Sequence, residues 1–255
     1  MTGNPYASPE TMGITPELKK RRGSRWLELL VVLSIIITVT TGILLWPHRT
    51  PRGSLRIHCL HNLKNIAVAL HNYHSVYRTL PPAHTVDADG KPLHSWRTLI
   101  LPYLDRQDLY ETIDLSKPWD AQANAEAYKT ELKVFRCPAA DVPPKHTTYL
   151  AIVAANGCFR LNEPRPLSEI TDDHWETLMV IEVASEHAVH WMAPQDADEQ
   201  LVLGFGPSTT LSHPGGINVA HVNGSVGFLS GETSAADRSA LISIAGNDHV
   251  TGPEW

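Results

Sequence analysis

The sequence predicts an α+β protein carried on an N-terminal transmembrane helix, and three observations predict it. An apolar run stands between Trp26 and Trp46. After it, apolar residues recur at three- and four-residue steps, the period of a helix with one buried face. Later segments turn to β-branched residues and two-residue alternation, ending in a hairpin signal at Asn223-Gly224.

The 255 residues are 42% hydrophobic, enough to bury a real core in one large domain or two small ones. Charge is unevenly placed. Lys19, Lys20, Arg21, Arg22 and Arg25 precede the apolar run, whereas from Pro47 onward 16 Lys and Arg face 24 Asp and Glu. An acidic body excludes a phosphate-tracking groove, so nucleic acid is not an expected partner.

Residues 1–25 read as a cytoplasmic basic leader, its first part polar, rich in Pro and without periodicity. Residues 26–46, WLELLVVLSIIITVTTGILLW, form about 31 Å of helix at about 1.5 Å per residue, which matches a bilayer's hydrocarbon core. A Trp at each end fits the interfacial belt, and Ser34, Thr38, Thr40 and Thr41 can bond carbonyls one turn earlier. No small-x-small cleavage site follows in Pro47-His48-Arg49, so the segment is expected to remain attached. The basic excess before it over Arg49, Arg52 and Arg56 after it points the N-terminus into the cytoplasm and the body outside, in the periplasm. The lipid bilayer is then the first expected partner.

Pro47 to Ser54, PHRTPRGS, reads as a short stalk, and residues 55–255 as the exoplasmic domain. Its first helix carries Leu60, Leu63, Ile66, Ala67, Leu70, Tyr73 and Tyr77 on one face, with Ser54 as the N-cap and Pro81-Pro82 as the stop. His58, His61, His71 and His74 share that helix. Their i,i+3 spacing is compatible with metal ligation, but no Cys or carboxylate completes a known pattern, so solvated or hydrogen-bonded histidines are expected. Helical turns follow in SWRTLIL and YLDRQDLYETI, split by Pro102, with a further helix over 121–132. Asp87 and Asp89 before Gly90 lack the spacing of a calcium loop and read as a solvated turn.

Strands are expected at 147–155, 177–184 and 187–193. The segment INVAHV-NG-SVGFLS, 217–230, predicts a hairpin with a type I′ turn at Asn223-Gly224. A short helix over 234–244, stopped by Gly246, follows it.

Several blocks in one order carry a family resemblance: RRGSRWLELLVV, CLHNLKNIAVALHNYHSVYRTLPPA, SWRTLILPYLDRQDLY, VFRCPA, TTYLAIVAANG, ITDDHWETLMVIEVA, HPGGINVAHVNGSVGFL and RSALISIAGND. The chain resembles the mostly planctomycete, membrane-anchored family called domain of unknown function 1559. Members of that family begin like type IV pilins and type II secretion pseudopilins. The resemblance implies a pilin-like fold, a long helix packed on an antiparallel sheet, and no catalytic activity or cofactor. Other pilin-like subunits are implied partners.

The resemblance also bears on Glu28, a lone carboxylate in the apolar run. In pilin-like N-termini a basic run and a Gly mark the prepilin peptidase site, with a Glu five places beyond; Gly23 and Glu28 have that spacing. Cleavage after Gly23 would free the amine of Ser24, which Glu28 of a neighbouring subunit could pair inside the bilayer. The other reading makes Glu28 the edge of an ordinary anchor, snorkelling or pairing with Arg25. Departures from the pattern are Ser24 for the usual Phe, Asn223 for the Asp of the family's D-G-S-V block, and Asp173 for the Gly of I-T-D-G.

Of the three cysteines, Cys59 and Cys137 lie within the family blocks, which makes them the expected disulfide if the body is exoplasmic; Cys158 is then the odd thiol. Three unpaired buried thiols are the alternative. His213, before Pro214-Gly215-Gly216, is the best single candidate for a catalytic or ligand-holding residue. It has no partner carboxylate in sequence, and no hydrolase elbow, zinc-protease motif or phosphate loop accompanies it. The expectation is therefore a membrane-anchored structural or interaction protein of the cell envelope, not an enzyme, with no metal. The alternative is an anchored exoplasmic binding module or metal-dependent hydrolase using the surface histidines.

Overall fold

A computed structural model describes residues 25–45 and 52–247, with side chains over 26–41 and 53–247. Gly23 and Ser24 lie outside the described residues, as do most of the leader and of the stalk. The chain divides into two compact units, Met1–Arg49 and Thr50–Trp255.

In the first unit, helix α1 spans Arg25–Leu45, with Glu28 in its first turn. The four hydroxyls bond back as expected: Ser34 Oγ donates to Val31 O, Thr38 Oγ1 to Ser34 O, Thr40 Oγ1 to Ile36 O and Thr41 Oγ1 to Ile37 O, at 2.6–3.0 Å. This hides polar groups on an otherwise apolar surface. Among the described residues, however, no helix is long and apolar enough to cross a membrane. The expected span over 26–46 is corrected to that extent.

The second unit opens with α2, Arg52–Tyr77, whose Cys59, Leu63, Ile66, Ala67 and Leu70 are buried, as their spacing requires. Ser54 lies inside the helix and does not cap it. The helix stops before the prolines because Arg78 turns left-handed at φ 62° and its N–H returns to His74 O. Next come the hairpin of β1 (His84–Val86) and β2 (Pro92–Ser95), then short helices α3 (Trp96–Leu99), α4 (Gln107–Tyr110) and α5 (Ala125–Lys129). Asp87 Oδ1 closes the β1–β2 turn by accepting from the N–H groups of Asp89 and Lys91. The helix expected over 121–132 shrinks to α5 after a 3-10 turn, because Thr130 returns to extended backbone.

The remaining strands are β3 (His146–Thr147), β4 (Tyr149–Val153), β5 (Leu178–Glu182), β6 (Val189–His190), β7 (Ala197–Asp198), β8 (Gly216–His221) and β9 (Val226–Ser230). Strand β3 pairs with β6, and a five-stranded sheet runs in the order β7-β4-β5-β8-β9. It is antiparallel except at its edge, where β7 runs parallel to β4. Helices α6 (Glu199–Gly204) and α7 (Ala235–Ile242) complete the unit.

Alternation assigns the two sheet faces to two cores. Tyr149, Ala151, Val180 and Ala220 join Cys59, Leu63, Ile66 and Leu70 of α2, together with Trp96, Phe135, Phe159 and Trp191. Leu150, Ile152, Ile181, Val219 and Leu229 join Val202 of α6 and Leu241 and Ile242 of α7. The protein is thus α+β, with α2 covering one sheet face and two short helices the other.

The β8–β9 hairpin forms, but not with the expected type I′ turn. Only Gly224 takes positive φ (81°); Asn223 does not. Gly224 N–H bonds His221 O, and His221 N–H bonds Ser225 O, a three-residue turn finished by a left-handed glycine. Buried Val222 explains the switch, since its N–H is held by Thr177 O and its side chain enters the core.

Candidate metal centre

Across the centre of the sheet, Tyr149 on β4 stands opposite Glu182 on β5, and the Asn218 amide of β8 donates to Glu182 Oε2 at 2.6 Å. All three side chains lie on the α2 face. A carboxylate there is only 2% exposed, and Glu182 Oε1 has no hydrogen-bond partner. Such a group is costly unless something charged or polar meets it.

Three further side chains converge on it. Cys59 comes from α2, with 0% exposure. Cys137, also at 0%, follows a 3-10 turn, Lys133–Phe135. Asn62, one turn after Cys59, donates its amide to Arg136 O at 2.9 Å and Lys133 O at 3.2 Å, tying the Cys137 backbone to α2. His213, 3% exposed, precedes Pro214 and two glycines. Gly215 turns the chain at φ 89°, and a Cβ on Gly216 would sit 2.2 Å from Leu229 O. These glycines let the chain double back from His213 directly into β8.

His213 Nε2 stands 3.5 Å from Cys137 Sγ and 3.3 Å from Glu182 Oε2. The ligand atoms of Cys59, Cys137, Glu182 and His213 all lie within 4.8 Å of one another. Electrostatics reflects the crowding. Hydrogen bonding from Cys137 holds the Cys59 thiol down at about 6, against burial, and His213 assists. Contact with Cys59, burial and the Glu182 charge push Cys137 the other way. Burial pulls His213 down, but its bonds to Cys59 and Glu182 outweigh that and raise it to about 9. Burial and the Glu182 charge raise Tyr149.

Two sulfurs, an imidazole nitrogen and a carboxylate oxygen form a zinc-type donor set. The same two sulfurs could instead form a disulfide. In this structure the expected Cys59–Cys137 bond is absent: the residues meet, but all three cysteines are free. Cys158 stands apart, its thiol donating to Leu178 O at 3.1 Å and pushed up to about 12 by burial. The four histidines of α2 do not enter the cluster. Instead, the His71 ring packs beneath the Gly224 turn.

Sequence reasoning singled out Cys59, Cys137 and His213 but not Glu182, although the signal was present. A lone carboxylate in the apolar strand LMVIE raises the same question as Glu28 in its apolar helix. What spacing could not supply was the meeting of residues separated by most of the domain.

Residues 56–152 match the model of the family described as Protein of unknown function (DUF1559). The match supports the resemblance to that family and runs from α2 through most of β4, taking in Cys59 and Cys137 but not Glu182 or His213. No curated protein and no solved structure matches the chain.

Proposed function

We propose that this chain is a membrane-anchored, pilin-like structural or interaction protein of the cell envelope, without catalytic activity. The carrying observation is α1. Its described large apolar side chains, from Trp26 at 77% to Val39 at 53%, are each at least 52% exposed, and its hydroxyls are bonded internally. Apolar surface on that scale needs lipid or other subunits to cover it. The 21 residues of Arg25–Leu45 give about 31 Å of helix, so lipid is the natural cover. The acidic second unit is then displayed on the exoplasmic face, consistent with the basic flank preceding α1.

Glu28 in the first turn of α1 supports the pilin-type assembly reading, in which leader cleavage after Gly23 supplies an ammonium for it. The test is mass spectrometry of the chain's N-terminus from a carbonate-washed membrane fraction. The chain is expected in that fraction, beginning at a modified Ser24. An intact leader would reduce the proposal to plain anchoring, and recovery in the soluble fraction would overturn it.

A further inference from the structure

We infer that Cys59, Cys137, Glu182 and His213 bind one zinc ion in a closed, structural site that staples α2 to the sheet. Two separations carry this beyond residue type. A tetrahedral zinc with bonds of about 2.3 Å to sulfur and about 2.0–2.1 Å to nitrogen or oxygen places sulfur and nitrogen about 3.6 Å apart, and nitrogen and oxygen about 3.4 Å apart. Cys137 Sγ–His213 Nε2 is 3.5 Å and His213 Nε2–Glu182 Oε2 is 3.3 Å. With every pair inside 4.8 Å, the remaining donors need move by no more than about 1 Å.

An independent observation points the same way. Glu182 Oε1 is buried without a partner, so the carboxylate has unused capacity inside the cluster. Asn218 donates to Glu182 Oε2 and orients the carboxylate, while Asn62 fixes the backbone that delivers Cys137. This is the supporting shell that a metal site requires.

The site is closed. The cleft beside it is lined by Leu55, Ala139, Asp141, Ser212, His213 and Pro214 among others, but by neither cysteine nor Glu182. With four protein donors and no open position, the ion holds structure and does not activate water. It joins elements from positions 59, 137, 182 and 213, closing loops whose entropy the apolar core would otherwise offset alone.

The test uses the full-length chain purified in detergent without chelator. Elemental analysis is expected to find one zinc per chain, and X-ray absorption two sulfurs at about 2.3 Å and two lighter donors at about 2.0 Å. His213→Ala and Glu182→Ala should each weaken zinc retention about tenfold or more, whereas a His71→Ala/His74→Ala double variant should keep it. The absorption spectrum of the unmodified chain decides the matter even if the variants fold poorly. Metal-free protein, whether with a Cys59–Cys137 cross-link in peptide maps or with both thiols free, overturns the inference. So does zinc without sulfur ligands, or zinc lost only from the His71/His74 variant. None of these results depends on where the N-terminus is cut or which membrane holds it.

Discussion

At the residue scale, Arg97 shows how one charge ties the start of β4 to the segment that follows β6. Its guanidinium is fully buried and donates to the carbonyls of Trp191, Tyr149, Ala193 and Gln195 and, at 2.7 Å, to Asp196 Oδ1. Asp196 Oδ1 also accepts from Trp96 Nε1 and the N–H of Ala151, both at 2.9 Å. The pair is asymmetric: Arg97 keeps four carbonyl acceptors without Asp196, but Asp196 has no other Arg or Lys ion pair among the described residues. Arg97→Met is therefore expected to cost about 3–5 kcal/mol, because it leaves a buried carboxylate uncompensated. Asp196→Asn should cost clearly less. Urea unfolding of both variants checks the order, and equal losses would contradict it.

At the scale of elements, the β8–β9 hairpin is where local sequence and packing meet. Its two strands were legible from alternation, and its turn position from Asn223-Gly224. The turn type was not, because a buried Val222 outside any local rule selects a three-residue turn. Its register also depends on a contact invisible in sequence, the approach of Gly216 to Leu229 O. Gly216→Ala is expected to lose about 2–4 kcal/mol by forcing the strands apart. At exposed Gly204, the last residue of α6, a Cβ meets nothing within 4 Å. Gly204→Ala should therefore be neutral or gain up to about 1 kcal/mol. Thermal midpoints of the two variants should move in opposite directions or, at the least, differ by that margin.

Across the whole molecule, buried neutral histidines tie folding to pH. His190 Nδ1 accepts from Met192 N–H, while Nε2 faces Tyr128 O, so both nitrogens of the neutral ring are satisfied. Protonation would set an N–H against an N–H. Burial chiefly lowers His190 to about 4, helped by His146, Lys145 and Arg97 and opposed by Tyr128 O; burial likewise lowers His221 to about 4. Both folded values lie below the ordinary 6.5. Their contribution is thus fully present above pH 6.5 and is lost as pH falls from there toward 4, where the unfolded chain binds more protons. The loss is expected to be on the order of 3 kcal/mol over that window, less than full burial would give. Urea midpoints across the range measure it. His190→Gln should flatten the slope, and an unchanged slope would remove His190 from this account.

The sequence by itself determined the local features: an apolar first helix with internally bonded hydroxyls, the buried face of α2, the β4, β5, β8 and β9 strands, and the family resemblance. These follow from periodicity and short-range chemistry, which act between residues a few positions apart. Tertiary structure alone decided the parallel edge pairing of β7, the turn at Val222 and the convergence of Cys59, Cys137, Glu182 and His213. Each depends on groups far apart in the chain, and only the packing of α2 on one sheet face sets the distances between them.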